Sequence, residues 1–132
     1  MIINELRKLN SQYEQHGTIP EPEDFSGEYY VTAPSFPWIS LKPLNHRKEI
    51  IEKNTGSNVL LNKIRFGTFE LKRDEDSLRI DYNQPENPLL LRKAIDNVKI
   101  LPDGRIIGKL FYKVLGKKIF ILFFEMKPAK RQ

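Results

Sequence analysis

The sequence predicts a mainly β protein, a single closed antiparallel β-barrel of about seven or eight strands with one α-helix in front of it. Two observations point there. Short β-rich runs separated by turn residues follow one another from Gly27 onward, whereas helical spacing of apolar residues occurs only ahead of Gly17. The last run, Ile119 to Phe124, is apolar on both of its alternating faces, so each face needs a cover. Closing the sheet on itself covers one face and removes exposed strand edges. The 132 residues suit one domain, divided into a helix at 1–17 and a barrel at 18–132 that ends in a short basic tail.

In chain order, Ile2, Leu6, Leu9 and Tyr13 recur at helical spacing and Gly17 ends the helix, which packs across the barrel or over its open end. IPEPEDFSG, rich in proline and acid, is a connector. GEYYVTA, from Gly27, is the first strand. An irregular loop follows with Pro34, Pro37 and Pro43, and Arg47 to Lys53 forms the second strand. Asn54 to Asn58 is a turn cluster, and Val59 to Arg73 is a β run long for one strand, with Gly67 in its middle marking a bend or bulge. Asp74 to Ser77 turns the chain into Leu78 to Tyr82. NQPENP is a loop closed by Pro85 and Pro88, and LLLRK is a single helical turn. Ile95 to Leu101 is a strand, Pro102-Asp103-Gly104 a turn, and Arg105 to Lys127 a closing hairpin.

Composition removes several function classes. There is no cysteine, which excludes disulfides, thiolate nucleophiles and cysteine-ligated metals. His16 and His46 share no ligand-spaced motif, and no cofactor motif is present, so neither a metal nor a cofactor is expected. The N-terminal residues are charged throughout rather than signal-like, and no apolar run approaches the roughly 20 residues of a membrane span. A cytoplasmic location is the expectation. The net charge of +5 is uneven: from Arg105 onward eight Lys/Arg face one acid, Glu125. Lys109, Lys113, Lys117, Lys118, Lys127, Lys130 and Arg131 read as a solvated edge, with nucleic acid or an anionic surface as the alternative partner.

Strand alternation nominates the interior. Leu78, Ile80 and Tyr82 share one face, with Arg79 and Asp81 on the other; in the last strand Phe120, Leu122, Phe124 and Met126 oppose Ile119, Ile121 and Phe123. One set fills the barrel, and the other is covered by the helix or by a second copy, which would make a homodimer. The leading expectation is a non-enzymatic protein holding a small apolar or amphipathic, lipid-like ligand. The candidate lining is Phe69, Leu78, Ile80, Tyr82, Leu110, Tyr112, Phe120, Leu122 and Phe124, with Trp38 as a flap over the mouth or a plug. Arg79 or Arg92 would meet an acidic end of that ligand, although the commoner use of such an arginine is to pair with an aspartate and fix the NQPENP loop. A small barrel enzyme is a further alternative, with Asp81, Glu86 or Asp96 as base and Tyr82 or Tyr112 as proton donor, although no nucleophile or phosphate-cradling loop accompanies them. Arg65 to Glu70 faintly echoes the aromatic strand of an RNA-recognition motif, and Phe66, Phe69 and Tyr82 could stack on single-stranded nucleic acid.

The leading helix, Gly27-Glu28-Tyr29 opening the first strand, the NTGSN segment, LRIDYNQPENP and the LPDGRIIGKLFY…FILFFEM ending together resemble the calycin-type barrels, the lipocalin-like group that includes fatty-acid-binding proteins. The likeness spans roughly residues 25 to 127, and Tyr29 stands where lipocalins carry tryptophan. The resemblance implies a barrel with an internal cavity for an apolar or amphipathic small molecule.

Overall fold

A computed structural model describes residues 2–33, 46–52, 54–61 and 64–129. Trp38 with its proline-rich surroundings, and the tail residues Lys130 and Arg131, lie outside the described residues. Eight antiparallel strands close into one barrel: β1 (Gly27–Thr32), β2 (Arg47–Glu52), β3 (Thr55–Leu60), β4 (Ile64–Arg73), β5 (Leu78–Asp81), β6 (Ala94–Ile100), β7 (Ile106–Val114) and β8 (Lys117–Pro128). Strand order is sequence order, and β8 returns to pair with β1, Val31 lying opposite Met126. The helix α1 (Ile2–His16) precedes the barrel, as the sequence predicts.

One stretch departs from the expected pattern. Asn54 to Asn58 is not a turn: Thr55 begins β3, and the chain reverses again after Leu60, so the long run expected from Val59 to Arg73 is divided between two strands. The small polar residues of β3 are there for their surroundings. A side chain at Gly56 would meet the ring of Phe69 at 2.8 Å, and Asn58 is buried as part of an interior hydrogen-bonded cluster. The bulge expected at Gly67 is present. The register slips between Gly56 and Asn58, and Gly67 takes φ 66°, a left-handed conformation that suits glycine.

Two apolar clusters hold the molecule together. The interior one joins Phe25, Tyr29, Phe69, Leu71, Leu78, Ile80, Val98 and Met126, with Phe25 and Tyr29 edge to face at 5.4 Å. The other lies outside the barrel, where Leu6, Leu9 and Tyr13 of α1 cover Leu101, Ile107 and Phe123. The helix therefore packs on the barrel wall at β7 and β8. Its Tyr13 hydroxyl donates to the Asn97 carbonyl at 2.7 Å, and Lys99 and Lys109 each hold an ammonium 4.7 Å from the Tyr13 ring centre. Lys109 also pairs with Glu14, whose carboxyl is held below its ordinary range by that hydrogen bond. Lys109 is thus a buried anchor of the helix, and the reading of it as a solvated edge is corrected.

The two apolar faces of β8 are explained by these clusters, Leu122, Phe124 and Met126 facing inward and Phe123 facing α1. The alternation does not run unbroken. A bulge shifts the β7–β8 register so that Leu110 opposes Leu122 while Phe111 opposes Phe120. Phe120 consequently points outward, its ring 5.1 Å from Phe123 and 5.9 Å from Phe111, and is 45% exposed. Its expected place in the barrel interior is corrected: one extra residue reverses the parity of everything before it.

Candidate functional site

The interior is packed at one end and hollow at the other. Phe69, Leu78 and Ile80 are fully buried in the packed half. The hollow is a cavity of about 190 Å³ toward the end of the barrel where odd-numbered strands finish and even-numbered ones begin. Its apolar walls come from Val31, Ala33, Leu91, Ala94, Leu110, Leu122 and Phe124. The Phe124 ring lies over Gly108, its partner on β7, where any Cβ would collide with it; Gly108 is what lets that wall stand.

On one side of this hollow is a polar cluster that also lines it: Lys48, Asn58, Tyr82 and Asp96, all buried, with the half-buried His46 at its edge. Alternation puts Lys48 and Ile50 of β2 inward and Arg47 and Glu49 outward, where Arg47 meets Glu28 at 2.9 Å and Glu49 pairs with Arg65. On β6, Ala94, Asp96 and Val98 face inward. The Lys48 ammonium lies 3.3 Å from Asp96 Oδ2, and both side chains are only 4% exposed. Lys48 also donates to Asn58 Oδ1 at 2.9 Å and to the Tyr82 hydroxyl, which in turn donates to Asp96 Oδ2 at 3.1 Å. Asn58 Nδ2 donates to Tyr82 at 3.2 Å and to the Gly67 carbonyl at 3.3 Å, so the β4 bulge supplies an acceptor to the cluster. His46 Nε2 lies 3.1 Å from Asn58 Oδ1. That oxygen only accepts, so Nε2 carries the ring proton.

Burial dominates the electrostatics. It lowers the pKa of Lys48 and raises that of Asp96, in each case outweighing the attraction between them. Burial and then the charge of Asp96 push Tyr82 well above its ordinary value. His46 is pushed down to about 4, first by burial and then by the charge of Lys48, and is neutral at pH 7. The Lys48 ammonium also stands 5.2–5.6 Å from the ring centres of Tyr82, Phe69 and Phe124, a cation over three aromatic faces. The result is a net-neutral polar patch in an apolar chamber. A pair in which each partner is pulled toward its neutral form contributes little to stability for its burial.

Of the residues nominated from the sequence, Tyr82, Leu110, Leu122 and Phe124 come together around the cavity. Phe69, Leu78 and Ile80 lie beneath it in the core, and Tyr112 packs beside it with its hydroxyl on the Leu90 carbonyl at 2.7 Å. Phe120 is on the outer wall, and Trp38 lies outside the described residues. The two arginines are elsewhere. Arg79 faces outward and pairs with Asp74 at 3.4 Å, and Arg92 donates to the backbone carbonyls of Asn87 and Pro85, both at 2.8 Å. Arg92 therefore pins the NQPENP loop. Asn87 does so too, through Thr68 and the Tyr82 carbonyl. Of the acids offered as bases, Asp81 pairs with Lys72 at 3.4 Å, Glu86 is exposed, and Asp96 alone lines the cavity.

His46, Lys48 and Asn58 were not among the nominated residues. Their signal was parity: Lys48 and Asn58 fall on the inward positions of their strands, beside Ile50 and opposite one another. Among the described residues no group of three or more His, Asp or Glu could hold a metal ion, and no helix is long and apolar enough to cross a membrane. Comparison with protein-family models, with curated proteins and with solved structures gave no match to this chain.

Proposed function

We propose that the protein binds one compact amphipathic molecule inside the barrel, its apolar body against Leu110, Leu122 and Phe124 and its polar end on the His46–Asn58–Tyr82 side. The observation that carries this is a hollow with apolar walls and a single buried polar cluster, the usual constitution of a small-molecule site. The closed eight-stranded barrel with a cavity supports kinship with calycin-type binders in plan. The volume narrows the ligand. At about 190 Å³ the hollow exceeds the roughly 150 Å³ void that accepts benzene but falls below the about 300–1,000 Å³ of drug-sized sites. A short chain or single ring fits, and a long-chain fatty acid does not enter whole. The charge narrows it further. Lys48 and Asp96 already neutralise one another, so an added charge would be buried without a partner, and a hydroxyl or carbonyl head suits the site better than a carboxylate.

Titration calorimetry with hexanol, 2-hexanone, hexanoate and palmitate tests this. Saturable binding of the first two, weaker for hexanoate and absent for palmitate, is expected, with loss on filling the hollow by Ala94→Phe. No saturable binding of any short compound removes the reading.

A second reading, proton transfer on a bound carbonyl compound, is favoured by one observation: Asp96, a carboxyl with raised pKa, shares a proton-bearing tyrosine within the cavity wall. It predicts protein-dependent exchange of the α-hydrogens of 2-hexanone in D2O, followed by NMR and lost in Asp96→Asn. Exchange no faster than in buffer excludes it.

A further inference from the structure

We propose that the cavity end of the barrel docks on an anionic lipid surface, led by the tip of the β7–β8 hairpin. This rests on outward-facing residues and is independent of what the cavity holds.

Every residue from Lys113 to Ile121 is exposed, so the hairpin projects beyond the barrel wall that supports its base. Its tip makes three choices that are each unfavourable in water. Leu115 is 98% exposed and sits at φ 51°, a left-handed conformation that asparagine or glycine adopts far more readily than leucine. Lys113 and Lys118 are direct cross-strand partners, with Lys117 one step nearer the tip, so like charges face each other. Val114, Ile119 and Ile121 add exposed aliphatic surface between them. An interface that is apolar inside and anionic outside takes up the exposed side chains of Leu115 and its aliphatic neighbours and supplies counter-charge to the lysines, which offsets the cost of such a tip.

The rest of this end agrees. Of the large apolar residues exposed among those described, all except Tyr30 lie on the β7–β8 hairpin, at or just after the β3–β4 turn (Leu61, Ile64, Phe66) or on the β5–β6 loop (Leu89 and Leu90, each above 70% exposed). These connections emerge at the same end of the barrel as the cavity. A second copy of the chain is a poorer occupant, because a self-facing tip would set lysines against lysines. Nucleic acid is poorer too, because Val114 and Leu115 at the tip are aliphatic, and Phe120, the exposed ring nearest to them, is already packed against Phe111 and Phe123. A bilayer partner would also place the hollow directly over the surface from which an amphipathic molecule is drawn.

Flotation with phosphatidylcholine vesicles, with and without phosphatidylglycerol, tests the proposal on the full chain. Binding to the anionic vesicles only, weakening with salt, is expected. Replacing Lys113, Lys117 and Lys118 by glutamine should weaken it roughly 100-fold, at about fivefold per lysine. Leu115→Asn should weaken it about tenfold while the melting temperature holds or rises, since asparagine tolerates the left-handed turn; that combination separates lost docking from lost folding. Because the chain has no cysteine, Leu115→Cys carrying an environment-sensitive dye should shift to the blue on anionic vesicles alone. Equal affinity for neutral vesicles, no binding, or binding unchanged in both variants overturns the proposal. So does sedimentation showing a dimer abolished by Leu115→Asn, or oligonucleotide binding lost with the lysines but not with Leu115.

Discussion

Replacing Lys48 by methionine isolates the central pair of the cavity. The charges stand 3.3 Å apart with both side chains 4% exposed. At an effective dielectric of about 20 their attraction is about 5 kcal/mol, most of which the cost of desolvating both groups offsets. Lys48→Met leaves Asp96 buried with the Tyr82 hydroxyl as its remaining partner in the cluster, and should destabilise by about 3–5 kcal/mol at neutral pH. Lys48→Met with Asp96→Asn leaves no charge in the cavity cluster and keeps an acceptor for Tyr82. The pair of changes should therefore cost much less than the sum of the two alone, with a coupling of about 2 kcal/mol or more. The deficit of Lys48→Met should also depend on pH. With the ammonium gone, Asp96 has a folded pKa further above its unfolded value, so the folded state binds the extra proton. The variant should recover toward wild type below the unfolded carboxyl pKa, and the deficit should be complete once pH has risen through the folded one. Urea unfolding of the four proteins at pH 4.5 and 8 measures each quantity. A single-variant cost below about 1 kcal/mol, a deficit flat with pH, or strict additivity would show that the two groups are not a buried pair.

Two further outcomes follow from neighbouring residues. His46, neutral in the folded state with its pKa pushed down to about 4, is protonated first in the unfolded chain; stability should be full above the unfolded value near 6.5 and fall by up to about 3 kcal/mol as pH drops to 4, an effect that His46→Gln removes and that imidazole NMR titration would follow directly. Gly108→Ala drives a methyl group into the Phe124 ring and should destabilise by about 1–3 kcal/mol, with Phe124→Leu in the same chain restoring part of it; a neutral Gly108→Ala in urea unfolding would mean that the ring does not form the cavity wall as described.

The architecture was legible because its signals are local: helical spacing of Leu6, Leu9 and Tyr13, alternation in Leu78 to Tyr82, and a last strand apolar on both faces. The division between β3 and β4 was not, because Gly56 and Asn58 carry turn chemistry locally and are placed in a strand by what they touch across the barrel, Phe69 and the Lys48 cluster. Phe120 was assigned to the wrong face because a bulge leaves no mark in hydropathy when both faces are apolar. Half of the cavity lining was visible as alternating apolar residues. Its polar half was hidden in RKEIIEK, where charge falls on both faces and only the register shows that Lys48 shares the side of Ile50. Arginines drew attention as anion holders, yet the interior cation is a lysine with three acceptors around it.

The order of the strands has a kinetic consequence. All pairings but one join consecutive strands, which form early because little chain must be gathered to make them. The last joins β1 to β8 and requires nearly the whole domain to be closed into a loop. Until then the open sheet presents two complementary free edges, one of them the most apolar strand of the protein, and a second molecule can satisfy either. The helix changes that competition. Docked on Phe123 and Ile107, it holds the start of the chain against β8, and only the connector at 17–26 remains between that anchor and β1. Closure then becomes a short-loop event. Removing the helix should slow refolding and promote strand-swapped oligomers at high protein concentration, a role for α1 as a tether as much as a cover.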